Sequence, residues 1–201
     1  MQSNFINTLC VKKADLSVLR QYLLRLFIDY AYAEGDFLLS SQQKSAYYIN
    51  GKQVTLRPEG AVAIGRLLFP MLPEDTQGIA GLTLGADPLV TSVSMISVYE
   101  NRPIPALIVR KEPKGHGTQA YIEGPILENG AEIVVLEDVV TTGRSAMLAV
   151  ERLQAVGYQV NKIIALVDRE QGGSSHYESR GLEFESVFSI SELQKAYQER
   201  R

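Results

Sequence analysis

Residues 134–146 read VVLEDVVTTGRSA. An apolar run leads into an adjacent acid pair, Glu137 and Asp138. Two valines later the chain reaches Thr141, Thr142, Gly143, Arg144 and Ser145. The run has the composition of a strand buried on both faces, predicted over residues 133–136. The 141–145 segment has the hydroxyls and glycine of a turn that opens a helix. Apolar residues then recur at helical spacing over 145–156, with Gly157 as the stop. In an open α/β sheet, ligands bind outside the carboxyl ends of strands, where the next helix begins. Backbone N–H groups, hydroxyls and the positive end of a helix dipole suit a phosphate there. Carboxylates are poor neighbours for a phosphate, but they accept sugar hydroxyls well and serve as indirect partners for a magnesium ion. A lone TTG matches often by chance. A strand, an acid pair and this turn at this spacing point instead to a ligand with both a diol and a phosphate, the shape of a phosphorylated ribose.

Outward from this stretch, residues 78–84, 104–109 and 160–167 read as further apolar strands without polar alternation. Helical spacing at 89–99 and the GADP turn at 85–88 separate the first two. Such strands, divided by helices, argue for an α/β fold with a central parallel sheet flanked by helices. Upstream, Leu16, Leu19, Leu23, Phe27 and Tyr30 mark a helix over 16–33, with Asp15 as its cap. Residues 37–39 and 46–49 read as short strands joined by SSQQKS. Asn50-Gly51 is a hairpin signal, which predicts that 53–56 pairs back. Pro58 fits the first turn of a helix running to 72, and a last helix is expected over 191–200. The whole reads as a single domain: residues 1–75 form a small N-terminal cap, 76–170 the core sheet, and 171–201 a C-terminal strand and helix.

The bulk numbers agree with one such domain. The chain has 201 residues, 45% apolar and 21% charged, with a formal charge of −3. That balance gives no support for a nucleic-acid surface. One cysteine, Cys10, excludes an internal disulfide and fits a reducing cytoplasm. No apolar run has the length of a membrane span, and the N-terminus lacks a basic segment followed by an apolar one. A soluble cytoplasmic protein is expected.

A second stretch narrows the chemistry. Residues 109–124, VRKEPKGHGTQAYIEG, extend from the end of a predicted strand and gather Arg110, Lys111, Lys114 and His116, with glycines on both sides of the histidine. Most charge clusters are solvated surface. This one stands at a strand end, as the acid pair does, and a flexible cationic loop is what a departing diphosphate needs. The 134–146 stretch resembles the phosphoribosyl-pyrophosphate motif of type I phosphoribosyltransferases: a hydrophobic strand, two acids, two apolar residues, Thr, a small residue, Gly, any residue, Ser or Thr. The 109–124 stretch resembles the R-K-E-x-K-x-H-G and I-E-G loop of the orotate phosphoribosyltransferases, and not the R-K-x-G-K-L-P-G form of the adenine enzymes. LLSSQQKSAYYIN (38–50) is similar to that family's S-G-x-x-S/K-x-Y-Y segment, and LVDRE (166–170) to its arginine site. The resemblance runs in order from residue 38 to 170.

The resemblance implies transfer of a phosphoribosyl group from phosphoribosyl pyrophosphate (PRPP) to orotate, with magnesium, in pyrimidine synthesis. By match, Glu137 and Asp138 hold the ribose hydroxyls, with Asp138 counted among the catalytic residues beside Lys114 and His116. Thr141, Thr142, Gly143, Arg144 and Ser145 cradle the 5′-phosphate. Arg110, Lys111, Lys114 and His116 bind pyrophosphate, and Lys44 approaches it from the N-terminal segment. Tyr48 and Thr141 line the base site, and Arg169 reads the orotate carboxylate. Tyr47 and Tyr48 point to opposite faces of a strand, so only one of them serves the base. No protein side chain is assigned as a direct metal ligand, because PRPP itself carries the magnesium. The family is homodimeric, with the mobile loop shared across subunits. Four positions depart from the pattern: Glu137 replaces the usual first Asp, Gln42 a common Gly, and Gly85 and Asp87 stand where many members carry a lysine. His176 reads as an exposed loop residue. A phosphoribosyltransferase for another base would keep the acid motif but lack the R-K-E-x-K-x-H-G loop. A non-catalytic regulator that binds PRPP would add a nucleic-acid-binding segment.

Overall fold

The computed structural model describes residues 8–38, 44–113 and 121–200. Two helices come first, α1 (Thr8–Lys13) and α2 (Leu16–Leu26). Leu19, Leu23 and Leu26 recur on one side of α2 and are buried. Asp15 holds the extended cap conformation (φ −61°, ψ 152°), but its side chain makes no cap bond. Its carbonyl instead accepts the Leu19 N–H at 2.9 Å. A π-helical turn, Phe27–Ala31, comes next, and the chain then enters β1 (Tyr32–Leu38), so the helical stretch ends just short of residue 33. β1 pairs antiparallel with β2 (Lys44–Ile49), and this hairpin lengthens both of the short strands expected there.

The Asn50-Gly51 expectation is corrected. A two-residue hairpin turn of the favoured kind needs positive φ at both central residues. Gly51 has φ −53°, a right-handed helical value, and the chain continues as a short helix, α3 (Lys52–Thr55). Burial of Val54 and Thr55 beside α4 (Pro58–Leu68) outweighs the local turn signal. A 3₁₀ turn, Phe69–Met71, ends that helix with Pro58 in its first turn as expected.

The core then runs β3 (Gly78–Leu82), α5 (Asp87–Tyr99), β4 (Ala106–Val109), β5 (Ile122–Glu123), β6 (Glu132–Val140), α6 (Arg144–Ala155), β7 (Gln159–Asp168), α7 (Gly173–Glu178), β8 (Glu183–Ser189) and α8 (Ile190–Glu199). The sheet order is β5-β4-β3-β6-β7-β8. All neighbours are parallel except the two-residue edge strand β5, which is antiparallel to β4. The mainly parallel sheet flanked by helices is therefore present. The segment containing His176, expected as a loop, is the short helix α7.

Alternate residues of β6 serve two cores. Val134 and Leu136 face the core built with α2, α4, α5 and α8, whereas Ile133 and Val135 face the core built with α6. β6 also runs further than the expected 133–136. Glu137 pairs with Ala165 and Val140 with Asp168, so the acid pair sits inside the paired end of the strand. Among the described residues no helix is long and apolar enough to cross a membrane.

Candidate active site

The turn between β6 and α6 is shaped by Gly143, the N-cap of α6, at φ 82° and ψ 0°. A Cβ there would meet the Tyr177 ring at 2.8 Å, so both the left-handed backbone and the close ring require glycine. Tyr177 comes from α7 and is fully buried. Above it, Glu137, Thr141, Gly143, Ser145 and Tyr177 line a cavity of about 80 Å³. Thr142, Arg144 and Ser145 are exposed around its mouth. Arg144, Ser145 and Ala146 of the first turn of α6 line this space, and the unpaired N–H groups of a helix N-terminus make it a candidate anion cradle. The sequence pattern marks the segment of Tyr177 as polar loop. A lone aromatic in QGGSSHYES is the only signal there that it lies under the turn.

The two acids separate across the sheet. Glu137 faces the cradle and is only 6% exposed. Burial, and next the neighbouring Asp138, hold its carboxyl well above the usual carboxylate range, while the charge of Lys111 pulls the other way. Its Oε2 has no hydrogen-bond partner among the described residues, and neither does the Tyr177 hydroxyl. Burial, then Glu137 and Asp168, push the Tyr177 phenol upward as well. Asp138 turns to the opposite face. A Cβ on Gly85 would lie 2.6 Å from its Oδ1, so the glycine leaves the space the carboxylate occupies. The Val139 N–H donates to the same Oδ1 at 2.9 Å. Asp87, one of the positions that depart from the family pattern, accepts the Thr83 hydroxyl at 2.8 Å and so braces its own turn.

A third group forms where β7 ends. The Arg169 N–H donates to the Val140 carbonyl at 2.9 Å, which ties this arginine to the end of β6. Its Nε donates to the Tyr47 hydroxyl at 3.1 Å, and its guanidinium carbon lies 4.8 Å from the Tyr47 ring centroid. Its Nη1 reaches Thr141 Oγ1 at 3.5 Å, whereas its Nη2 is buried without a partner among the described residues. The structure thus brings Tyr47, and not Tyr48, to Arg169. Tyr47 also stacks on Tyr32. Tyr48 is 44% exposed and packs on Phe37. Strand alternation separates the two rings, but which face looks on the sheet end depends on how the hairpin sits. Lys44 is exposed at the far end of β2 from these contacts.

The cationic segment begins at the end of β4. Arg110 Nη1 pairs with Glu123 Oε1 at 2.9 Å. Lys111 is exposed. Lys114, His116 and Gln42 lie outside the described residues.

A mainly parallel sheet with an acid pair and a glycine turn at the end of β6, and a cationic segment at the end of β4 with β3 between them, is the arrangement of a type I phosphoribosyltransferase. Comparison with known proteins gives the narrower assignment. No family model matches the chain. The chain is 68% identical to the orotate phosphoribosyltransferase of Nostoc sp. over 92% of its own length and 90% of that protein. The crystal structure of Mycobacterium tuberculosis orotate phosphoribosyltransferase in complex with Fe(III) dicitrate superposes with a TM-score of 0.79 at 36% identity, covering 87% of this chain and 98% of that one. The same enzyme in complex with PRPP gives a TM-score of 0.73 at 33% identity, over 88% and 99%. The chain belongs to the orotate phosphoribosyltransferase family.

Proposed function

We propose that this chain transfers the phosphoribosyl group of PRPP to orotate, giving orotidine 5′-monophosphate and diphosphate for pyrimidine synthesis. Arg169 is the observation that carries the choice of base. Held by Tyr47 and Thr141, it keeps Nη2 without a partner among the described residues, beside the ribose-phosphate cradle. A planar guanidinium suits a carboxylate better than a lysine does. With Tyr47 in that place, we assign the base contact to Tyr47 and Thr141, with Tyr48 as packing for the hairpin.

In the reaction the anionic ring nitrogen of orotate attacks C1′ as the C1′–O bond to diphosphate breaks. Diphosphate leaves with the electron pair, so no protein nucleophile is required. Glu137 and Asp138 accept from the ribose hydroxyls, and Thr141, Thr142, Gly143, Arg144 and Ser145 hold the 5′-phosphate. Arg110, Lys111, Lys114 and His116, with Lys44 from the hairpin, neutralise the leaving group. A magnesium ion is the proposed cofactor. The donors present, the Glu137 carboxyl at the cradle and the Asp138 carboxylate on the opposite face of β6, are oxygen groups that suit magnesium as indirect partners of an ion carried by substrate oxygens. When bound, the ion supplies positive charge to the diphosphate.

The remaining assignments rest on separate supports. Homodimerisation is supported by the exposed apolar face of α5, where Val98 is 61% and Tyr99 76% exposed. Sharing of the 109–124 loop between subunits is carried over from the family. Reading the chain as one domain is supported by the core that joins α2 and α4 to the sheet and α8. Arg20 of α2 also pairs with Glu192 of α8 at 2.7 Å. A cytoplasmic location fits a chain whose one cysteine permits no internal disulfide. The test is product analysis. Orotate, PRPP and magnesium should yield orotidine 5′-monophosphate and diphosphate in equal amounts, and diphosphate released without the nucleotide would refute the transfer.

A further inference from the structure

Arg152 lies on α6, the helix whose N-terminus forms the phosphate turn, and its guanidinium leaves that helix for the cationic segment. Nη1 donates to the Arg110 carbonyl, and Nη2 donates to the Lys111 carbonyl at 2.8 Å. The plane lies over the Tyr121 ring, 3.9 Å from its centroid. One side chain therefore grips both stems of the segment, 110–111 where it leaves β4 and Tyr121 where it returns. The stems also meet directly, through the Arg110 N–H on the Tyr121 carbonyl at 2.7 Å.

We infer that Arg152 is a positioning residue that fixes the two stems of the cationic segment to the phosphate-binding helix and so sets the direction of Lys111. The inference rests on the proposed reaction, in which that segment meets the leaving diphosphate.

Three observations carry it. Fixing the carbonyls of two consecutive residues fixes the peptide planes on either side of Lys111, and with them the exit of its side chain. Lys111 acts on the buried Glu137 from that place, since its charge counters the rise of the Glu137 carboxyl. The Arg110 side chain is turned the other way, to Glu123 Oε1 at 2.9 Å and the Glu112 carbonyl at 3.2 Å, so it does not fix the stem to α6 itself. A lysine at 152 is a single point donor that cannot bridge two carbonyls while stacking on a ring. Helix geometry links the two functions. Arg152 is eight residues beyond Arg144, roughly 12 Å along the helix at 1.5 Å per residue, so one rigid element carries both the phosphate turn and the grip on the segment.

The test separates the two halves of the site with two probes, magnesium pyrophosphate and ribose 5-phosphate, titrated calorimetrically against wild type, Arg152→Ala, Arg152→Lys and Tyr121→Leu. Arg152→Ala should weaken pyrophosphate by about tenfold, the order expected for charge-assisted hydrogen bonds to two acceptors, and leave ribose 5-phosphate within about twofold. Under turnover it should lower kcat more than it raises KM for orotate. Arg152→Lys should recover only part of the loss. Tyr121→Leu combined with Arg152→Ala should add little to Arg152→Ala alone, because the two act as one unit. Equal weakening of both probes would reduce Arg152 to a brace for α6 and overturn the inference. So would unchanged pyrophosphate binding, or additive losses in the double variant. Wild type that turns over no orotate would refute the proposed reaction, while the two titrations would still decide what Arg152 does.

Discussion

Burial, and then Asp138, raise the pKa of the Glu137 carboxyl well above the ordinary value of 4.5. A carboxyl with a raised folded-state pKa adds stability below its unfolded pKa and loses it as pH rises. In the ligand-free protein, Glu137→Gln should therefore raise the melting temperature at pH 8. The gain should shrink as pH falls and vanish below about pH 4.5. Equal gains at pH 8 and pH 4 would refute this electrostatic account. At Arg169, replacement by Lys keeps the charge but removes the fork. It should raise KM for orotate by about tenfold or more, with PRPP little affected in steady-state kinetics. Lys114→Ala should lower kcat by on the order of 10²–10³ while raising KM far less. Unchanged kcat would remove Lys114 from the catalytic role. At this scale the sequence was legible in placement: the acid pair and the threonines stand together at the end of β6, and Arg169 meets Thr141 there. It was not legible where packing chooses. Tyr47 and Tyr48 are equivalent in a strand pattern, and only the tilt of the hairpin over the end of β7 decides between them. Arg152 reads as an ordinary helix cation until the chain leaving β4 is seen to pass beside it.

Among the elements, the turn from β6 to α6 is the most constrained. Gly143→Ala meets both a left-handed backbone and the Tyr177 ring at 2.8 Å, whereas Gly172, at φ 92°, has open space around it. Gly172→Ala should cost about 1 kcal/mol from the backbone alone, and Gly143→Ala about 2 kcal/mol or more. Only the second should weaken ribose 5-phosphate in the titration, and equal costs in chemical denaturation would contradict the role given to Tyr177. The strands and helices of the core were readable because apolar runs and helical spacing report burial directly. Three elements escaped for physical reasons. β5 has two residues, too short for any pattern. α7 opens on glycines and serines and buries little besides Tyr177 and Gly173. The 50–56 segment carries a strong local turn signal, and burial of Val54 overrides it. The end of β6 was placed early because two acids look like a strand boundary, although the ladder to β7 continues through them.

Taken as one molecule, the sheet collects its chemistry at the carboxyl ends of β4, β6 and β7, and the N-terminal hairpin covers β7 through Tyr47. The apolar face of α5 lies apart from that site. If it joins two copies, Val98→Asp should convert a particle of twice the chain mass into one of single mass by light scattering. Activity should fall with it if the cationic segment is shared across subunits. A wild-type monomer with full activity would refute both statements. The most direct measurement of the central claim is a panel of bases. Purified protein is mixed with PRPP and magnesium, and orotate, adenine, uracil, hypoxanthine and xanthine are followed in parallel by absorbance. Consumption of orotate alone is the expected result. Consumption of another base, or of none while PRPP binds, would contradict the account.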